Sequence, residues 1–151
     1  MVVNATVCYI IKEGKILLIE KKRGIGAGFY NGPGGKIEPG EEIIDSAVRE
    51  VQEEIGLDVI DPEIIGELDF FFGEEHFMKV HILKTENYKG TETETDEALP
   101  LWFDTKQLPF DKMWADDSYW MPLMFDGKKF RGKFFFDKEG KNLLNHELSE
   151  I

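Results

Sequence analysis

The chain has 151 residues, 42% of them hydrophobic and 32% charged, which fits one folded domain spanning 1–151 and excludes a disordered polymer. Its net charge of −12 opposes phosphate backbones and excludes non-specific binding to nucleic acid polymers. No apolar run approaches the ~18 residues of a membrane span and no basic-then-apolar leader opens the chain, so the expectation is a cytoplasmic protein without a membrane partner.

In chain order, Val2 to Ile11 is rich in β-branched residues and reads as a strand, with Cys8 as a small core residue. That residue is the chain's single cysteine, so no intramolecular disulfide forms, which suits a reducing compartment. Glu13-Gly14 is a turn, and Ile16 to Glu20 returns as a second strand ending in Lys21-Lys22-Arg23. Gly24 to Lys36 is glycine-rich, which permits close backbone approach to a ligand. It is not a Walker A loop, because Tyr30 stands at the first glycine position and Ile37 follows Lys36. Nor does it have dinucleotide-binding spacing, since Asn31 occupies the third glycine position.

After Pro39-Gly40 the pattern predicts a helix over 43–55 that stops at Gly56. At roughly 100° per residue, Ile44, Ala47, Val48, Val51 and Ile55 share a face, expected to be buried. Glu50, Glu53 and Glu54 cluster on another face, where like charges repel unless a cation sits among them. Hard divalent ions take carboxylate oxygens and commonly share their site with substrate phosphates, so this face points to metal-assisted phosphoryl chemistry. A solvated acidic face with Arg49 pairing to its neighbours is the plainer alternative.

Strands are predicted at 64–72 and 77–84, joined by a turn at 73–76. A polar loop follows over 87–96, then a strand over 97–104 that Pro100 weakens. A helical turn is expected at 108–113, then a helix through Met124 capped by Asp116. A closing hairpin is read from 129–136 and 142–148, with Phe134 to Phe136 as core and sheet face. His76, His81 and His146 are scattered and read as structural residues, not metal ligands.

Gly35, Glu41 and the run Arg49-Glu50-Val51-Gln52-Glu53-Glu54-Ile55-Gly56-Leu57 match every fixed position of the Nudix box, including the apolar slots at Val51 and Leu57. On these residues the chain resembles the Nudix hydrolases. The resemblance implies an α/β/α sandwich, in the α+β class, around a mixed sheet. It implies Mg²⁺, with Mn²⁺ as the alternative ion, held by Glu50, Glu53, Glu54 and the Gly34 carbonyl, with Arg49 orienting the glutamates.

Lys21 to Gly24, Gly26 to Gly28, Asn31-Gly32, Asp96-Glu97, Trp102-Phe103, Met113-Trp114 and Asp116 to Trp120 further resemble the family's MutT-type oxidised-purine nucleoside triphosphatases. That branch hydrolyses damaged purine nucleotides, such as 8-oxo-dGTP and 2-hydroxy-dATP, to the monophosphate and pyrophosphate. The resemblance implies a purine nucleoside triphosphate substrate; a monomer is the expectation for the assembly. It implies a base pocket of Thr6, Asn31, Trp114, Asp116 and Asp117, with Lys21 at its edge, Gly34, Gly35 and Lys36 on the substrate, and Glu97 as a metal ligand opposite the helix. Two adjacent aspartates can hold one proton between them, which would let the site read two different oxidised bases. Ile25, Tyr30 and Pro33 depart from that branch and are expected to flank the pocket. Hydrolysis of another nucleotide (an undamaged or methylated purine nucleotide, or a nucleotide sugar) and a catalytically silent nucleotide sensor are the alternative readings.

Overall fold

The computed structural model describes residues 2–24 and 26–151. Its strands are β1 (Val3–Lys12), β2 (Lys15–Lys21), β3 (Tyr30–Asn31), β4 (Gly34–Lys36), β5 (Asp58–Val59), β6 (Glu63–Phe72), β7 (Glu75–Thr85), β8 (Tyr88–Lys89), β9 (Ala98–Asp104), β10 (Phe130–Phe136) and β11 (Leu143–Glu150). The helices are α1 (Ile43–Ile55) and α2 (Asp117–Phe125), with a 3₁₀ turn at Phe110–Lys112 before α2.

One nine-stranded mixed sheet dominates. Its main path runs β11-β10-β6-β7-β1-β2-β3, with β4 added to β1 and β9 to β2. The β1–β7 and β10–β6 pairs are parallel and the others antiparallel. β1 is shared along its length. Residues 5–7 pair with β4, and residues 10–12 pair with β2. This split brings the glycine loop and the α1 segment into the middle of the sheet.

Because strand side chains alternate, the two faces build two cores. Cys8, Ile10, Leu17 and Ile19 pack under α1 with Ala47, Val51 and Ile55. Tyr9, Ile16, Leu18, Leu68, Val80 and Phe134 pack on the opposite face with Trp120, Met121 and Met124 of α2. Burial pushes the Cys8 thiol up to about 12, consistent with a packing role.

The predicted α1 matches the observed span, and Gly56 closes it in the left-handed region at φ 74°. Ile44, however, is 43% exposed. The row packed on the sheet is Ile43, Ala47, Val51 and Ile55, with Ile43 only partly buried; rows at i+4 run obliquely across a helix, so Ile44 lies off the row at its own level. The expected four-residue turn at 73–76 is shorter, since Glu75 and His76 already belong to β7. The polar loop at 87–96 contains β8, which pairs with β5 in a small separate sheet. Pro100 is accommodated because β9 pairs only with β2 among the described residues and leaves its other edge free.

Candidate active site

The Nudix-box segment is held in register by Arg49. Its guanidinium donates twice to Glu41, from Nε to Oε2 at 2.8 Å and from Nη2 to Oε1 at 2.9 Å. It also donates from Nη1 to Glu50 Oε1 at 2.8 Å and to Glu53 Oε2 at 3.1 Å, and from Nη2 to the Lys36 carbonyl at 3.2 Å. One planar fork thus ties the loop before the helix to two of the helix glutamates. The bidentate contact with Arg49 lowers Glu41 to about 2, and Glu41 in turn raises the guanidinium above its ordinary value.

Glu54 lies one position beyond this network. Its Oε1 accepts from the Gly34 N–H at 3.4 Å. Burial pushes its carboxyl up to about 7, and the charges of Glu50 and Glu97 act in the same direction. Burial also raises Glu50, against the opposing contact with Arg49. Gly35 is needed for this approach, because a β-carbon there would fall 2.5 Å from the Glu50 carboxyl carbon.

Hard oxygen donors and buried carboxyls short of positive charge are the chemistry a divalent cation compensates. The donor set therefore fits the ion that the sequence implies. Among the described residues, no three acidic, histidine or cysteine side chains stand together as a ready-made ligand cluster. Glu50 and Glu53 are turned to Arg49, and Glu54 to Gly34.

A cavity of about 370 Å³ connects this region to the α2 side. Lys21, Gly34, Gly35, Lys36, Glu54 and Glu97 line one part, and Asn31, Trp114, Asp116 and Asp117 line another. Glu50 and Glu53 are not in its walls; Glu53 is 59% exposed beside it. Glu97 also meets Arg23 at 3.5 Å, and the neighbouring Lys22 pairs with Glu94. These contacts fasten the start of the glycine loop to the loop before β9.

The α2 part of the cavity is nearly dry. Asp116 and Asp117 are 3% and 4% exposed. Asp116 Oδ2 accepts from Trp120 Nε1 at 2.9 Å, so its side chain does not cap α2 as expected. Asp117 Oδ2 is buried with no hydrogen-bond partner, the kind of atom that a ligand would satisfy. Burial pushes Asp116 up to about 6. Burial and then the charge of Asp116 push Asp117 well above the usual carboxylate range. Trp114 is met edge-on by Phe29 at 5.5 Å, so the end of the glycine loop lies against it.

Four further residues expected in or beside this pocket stand as follows. Thr6 is on the cavity wall, but its hydroxyl is 3.3 Å from Ser46 Oγ on α1, because even-numbered residues of β1 face α1. Tyr30 and Pro33 do not line the cavity. The Tyr30 ring packs edge-on against Phe103 at 5.2 Å, and the Pro33 carbonyl accepts from Cys8 N at 2.9 Å. Ile25, expected to flank the pocket, lies outside the described residues.

Several lining residues escaped the sequence reading, among them Tyr9, Phe70, Phe72, Met78, Trp120 and Phe136. The period-2 alternation of β1, β6 and β10 puts the strand residues on one face, but it cannot tell a core position from a cavity wall. Of the histidines, His76 pairs with Asp69 at 2.8 Å and His146 stacks on Phe134 at 5.7 Å, as structural residues do.

Strand order, the Arg49-centred box and the cavity together define a phosphoanhydride hydrolase of the Nudix type. Residues 1–124 match the NUDIX domain family, and the chain belongs to that family. Nudix hydrolases generally use divalent metal ions. The chain is 45% identical over 148 residues to the oxidized purine nucleoside triphosphate hydrolase of Danio rerio, covering 97% of this chain and 94% of that protein. It is 43% identical over 147 residues to the protein of the same description from Mus musculus, with the same coverage. Among solved structures, a mutator MutT protein from Bacillus halodurans superposes with a TM-score of 0.87 at 24% identity, covering 98% of each chain, a likeness of fold.

Proposed function

We infer that this protein hydrolyses oxidised purine (deoxy)nucleoside triphosphates, such as 8-oxo-dGTP and 2-hydroxy-dATP, to the monophosphate and pyrophosphate, and so clears damaged nucleotides from the pool. The observation that carries this reading is the continuity of the cavity, from Glu54 and Gly34 at one end to Trp114, Asp116 and Asp117 at the other. A nucleoside triphosphate has the same two ends. The relatives named for oxidised purine nucleoside triphosphates align over nearly the whole chain, including the α2 segment that faces the base.

In this reading Glu50, Glu53, Glu54 and the Gly34 carbonyl hold Mg²⁺, or Mn²⁺ in its place, with Glu97 opposite. When bound, the ion neutralises phosphate charge and lowers the pKa of a bound water. Arg49 holds Glu50 and Glu53 in place, and Glu41 fixes Arg49. Lys21 and Lys36 offer positive charge to the phosphates, with Gly34 and Gly35 giving close backbone approach.

At the other end Trp114 stacks on the purine, whose π-face suits it whatever the substitution. The Asn31 amide donates to and accepts from the base edge. In the free structure its Oδ1 is 3.0 Å from Gly32 N, so the carbonyl is already oriented by the backbone. Asp116 and Asp117, with carboxyl groups raised by burial, are biased toward the protonated form, in which a carboxyl can donate as well as accept. Thr6 contributes to the wall and not through its hydroxyl. The reading takes 1–151 as one domain, supported by β10 and β11 completing the central sheet, and takes the protein as a monomer acting in the cytoplasm.

The test is pyrophosphate release with Mg²⁺ across 8-oxo-dGTP, 2-hydroxy-dATP, dGTP and dATP. A higher kcat/KM for the oxidised pair is expected. Equal values would remove the damaged-purine assignment.

A further inference from the structure

Tyr9 has no role in the reading above, yet it is 1% exposed and lines the cavity beside Asn31, Asp116 and Asp117. As an odd-numbered residue of β1 it faces the α2 side with Ala5. Its ring touches both arms of the base site. On one side, a β-carbon built on Gly32 would fall 2.7 Å from Cε1 and 2.9 Å from Cζ, so the Asn31–Gly32 backbone rests directly on the ring. On the other, its centroid lies 5.7 Å from that of Trp120, with the planes at 59°. Trp120 carries the contact onward, donating from Nε1 to Asp116 Oδ2 at 2.9 Å.

We propose that Tyr9 is a positioning residue whose ring fixes the separation between Asn31 and the Asp116–Asp117 pair, and so sets how strongly oxidised purines are preferred over undamaged ones. This rests on the oxidised-purine reading. Hydrogen-bonding groups discriminate only when held within about 0.5 Å of the productive geometry. A base must meet both arms at once, so their separation is what an incorrect base edge fails to satisfy. An aromatic ring suits the task, because it is rigid and spans the gap without a flexible stem. Glu50 and Glu53 lie outside the cavity walls and Glu54 lines the cavity at its other end, so a change at the ring acts on the two arms of the base site before it reaches the glutamates.

The experiment compares kcat and KM for 8-oxo-dGTP and dGTP in wild type, Tyr9→Leu and Tyr9→Phe, with thermal unfolding as the check on folding. Tyr9→Leu is expected to raise KM for 8-oxo-dGTP more than for dGTP and to lower the ratio of their kcat/KM values about tenfold. Tyr9→Phe, which keeps the ring, is expected to restore that ratio to within about threefold of wild type, the scale of one lost hydrogen bond. A wild-type ratio in Tyr9→Leu overturns the proposal, as does an equal loss on both substrates. A Tyr9→Phe variant as impaired as Tyr9→Leu assigns the effect to the hydroxyl and overturns the role of the ring. If Tyr9→Leu does not fold, Tyr9→Met, a flexible gap-filler, takes its place with the same expectation. A wild type with no preference for 8-oxo-dGTP is a separate result that removes the oxidised-purine reading and this inference with it.

Discussion

The two faces of the sheet solve opposite electrostatic problems. On the α1 side, acids crowd together and are paired by one arginine, with Glu41, Glu50 and Glu53 all contacting Arg49. On the α2 side, two acids are buried beside aromatic rings with no ion-pair partner among the described residues, and burial raises both carboxyl groups. In the first, Arg49 holds Glu41 low and opposes the rise that burial gives Glu50, while Glu54, outside its contacts, stays raised. The second favours neutral carboxyls that can donate hydrogen bonds to a base. The difference teaches that the reaction and the choice of substrate are separable properties of this fold.

The largest effect should come from the charged face. Glu53→Gln removes an anionic oxygen donor with little change in shape, and kcat is expected to fall about a thousandfold or more. Steady-state pyrophosphate release measures it, and an active variant would break the claim that this face carries the chemistry. On the opposite face, Trp114→Ala should lower kcat/KM for 8-oxo-dGTP by about ten- to a hundredfold, the scale of one lost base–aromatic stack. The loss should lie mainly in KM. A loss confined to kcat would merge the two faces into one functional unit.

Glu41→Gln sharpens the comparison within the charged face. Glu41 touches no substrate group in this account; it holds Arg49 through two hydrogen bonds. Weakening it should reduce activity about tenfold, as loss of a supporting contact to metal ligands does. An Mg²⁺ titration should show the loss as a higher half-saturating Mg²⁺ concentration, and an unchanged one would argue against it.

The smallest effect is in stability against pH. Glu54 is raised from 4.5 to about 7 and Asp116 from 3.8 to about 6, so across those windows the folded state binds more protons than the unfolded. These groups therefore make stability fall as pH rises from about 4.5 to about 7. Thermal unfolding without divalent ion should show Tm decreasing over that range. Excess Mg²⁺ should flatten the slope by the Glu54 share, because it favours the ionised carboxylate, and leave the Asp116 share. A slope insensitive to Mg²⁺ would separate Glu54 from the metal site.

The charged face was legible because it is local. Glycine, acid, arginine and glutamates at fixed spacing, an amphipathic period and a C-terminal glycine all fall within residues 35–57, and α1 follows them residue for residue. Most strands were legible from alternation and turns, with shifts of a residue or two at their ends. The two- and three-residue strands β3, β4, β5 and β8 were not, because they have too few residues for a period. The base site was legible only through its resemblance to a family branch. Its walls come from β1, β6, β7, β10 and the α2 segment, and strand-to-strand register, not local spacing, brings them together. Thr6 shows the limit well: the resemblance offers it as a base-pocket residue and it does line the cavity, whereas the alternation of β1 brings its hydroxyl within 3.3 Å of Ser46 Oγ. Tyr9, three residues on, points the other way for the same reason.

Separation of the two faces is the central claim, and equilibrium binding tests it most directly. Affinity for the product 8-oxo-dGMP, measured without divalent ion, should be the same within about threefold in wild type and Glu53→Gln, as expected for sites without shared partners. Turnover of 8-oxo-dGTP by that variant should be down about a thousandfold. Loss of monophosphate binding together with turnover would contradict the account, because the base would then depend on the helix that cuts the phosphates.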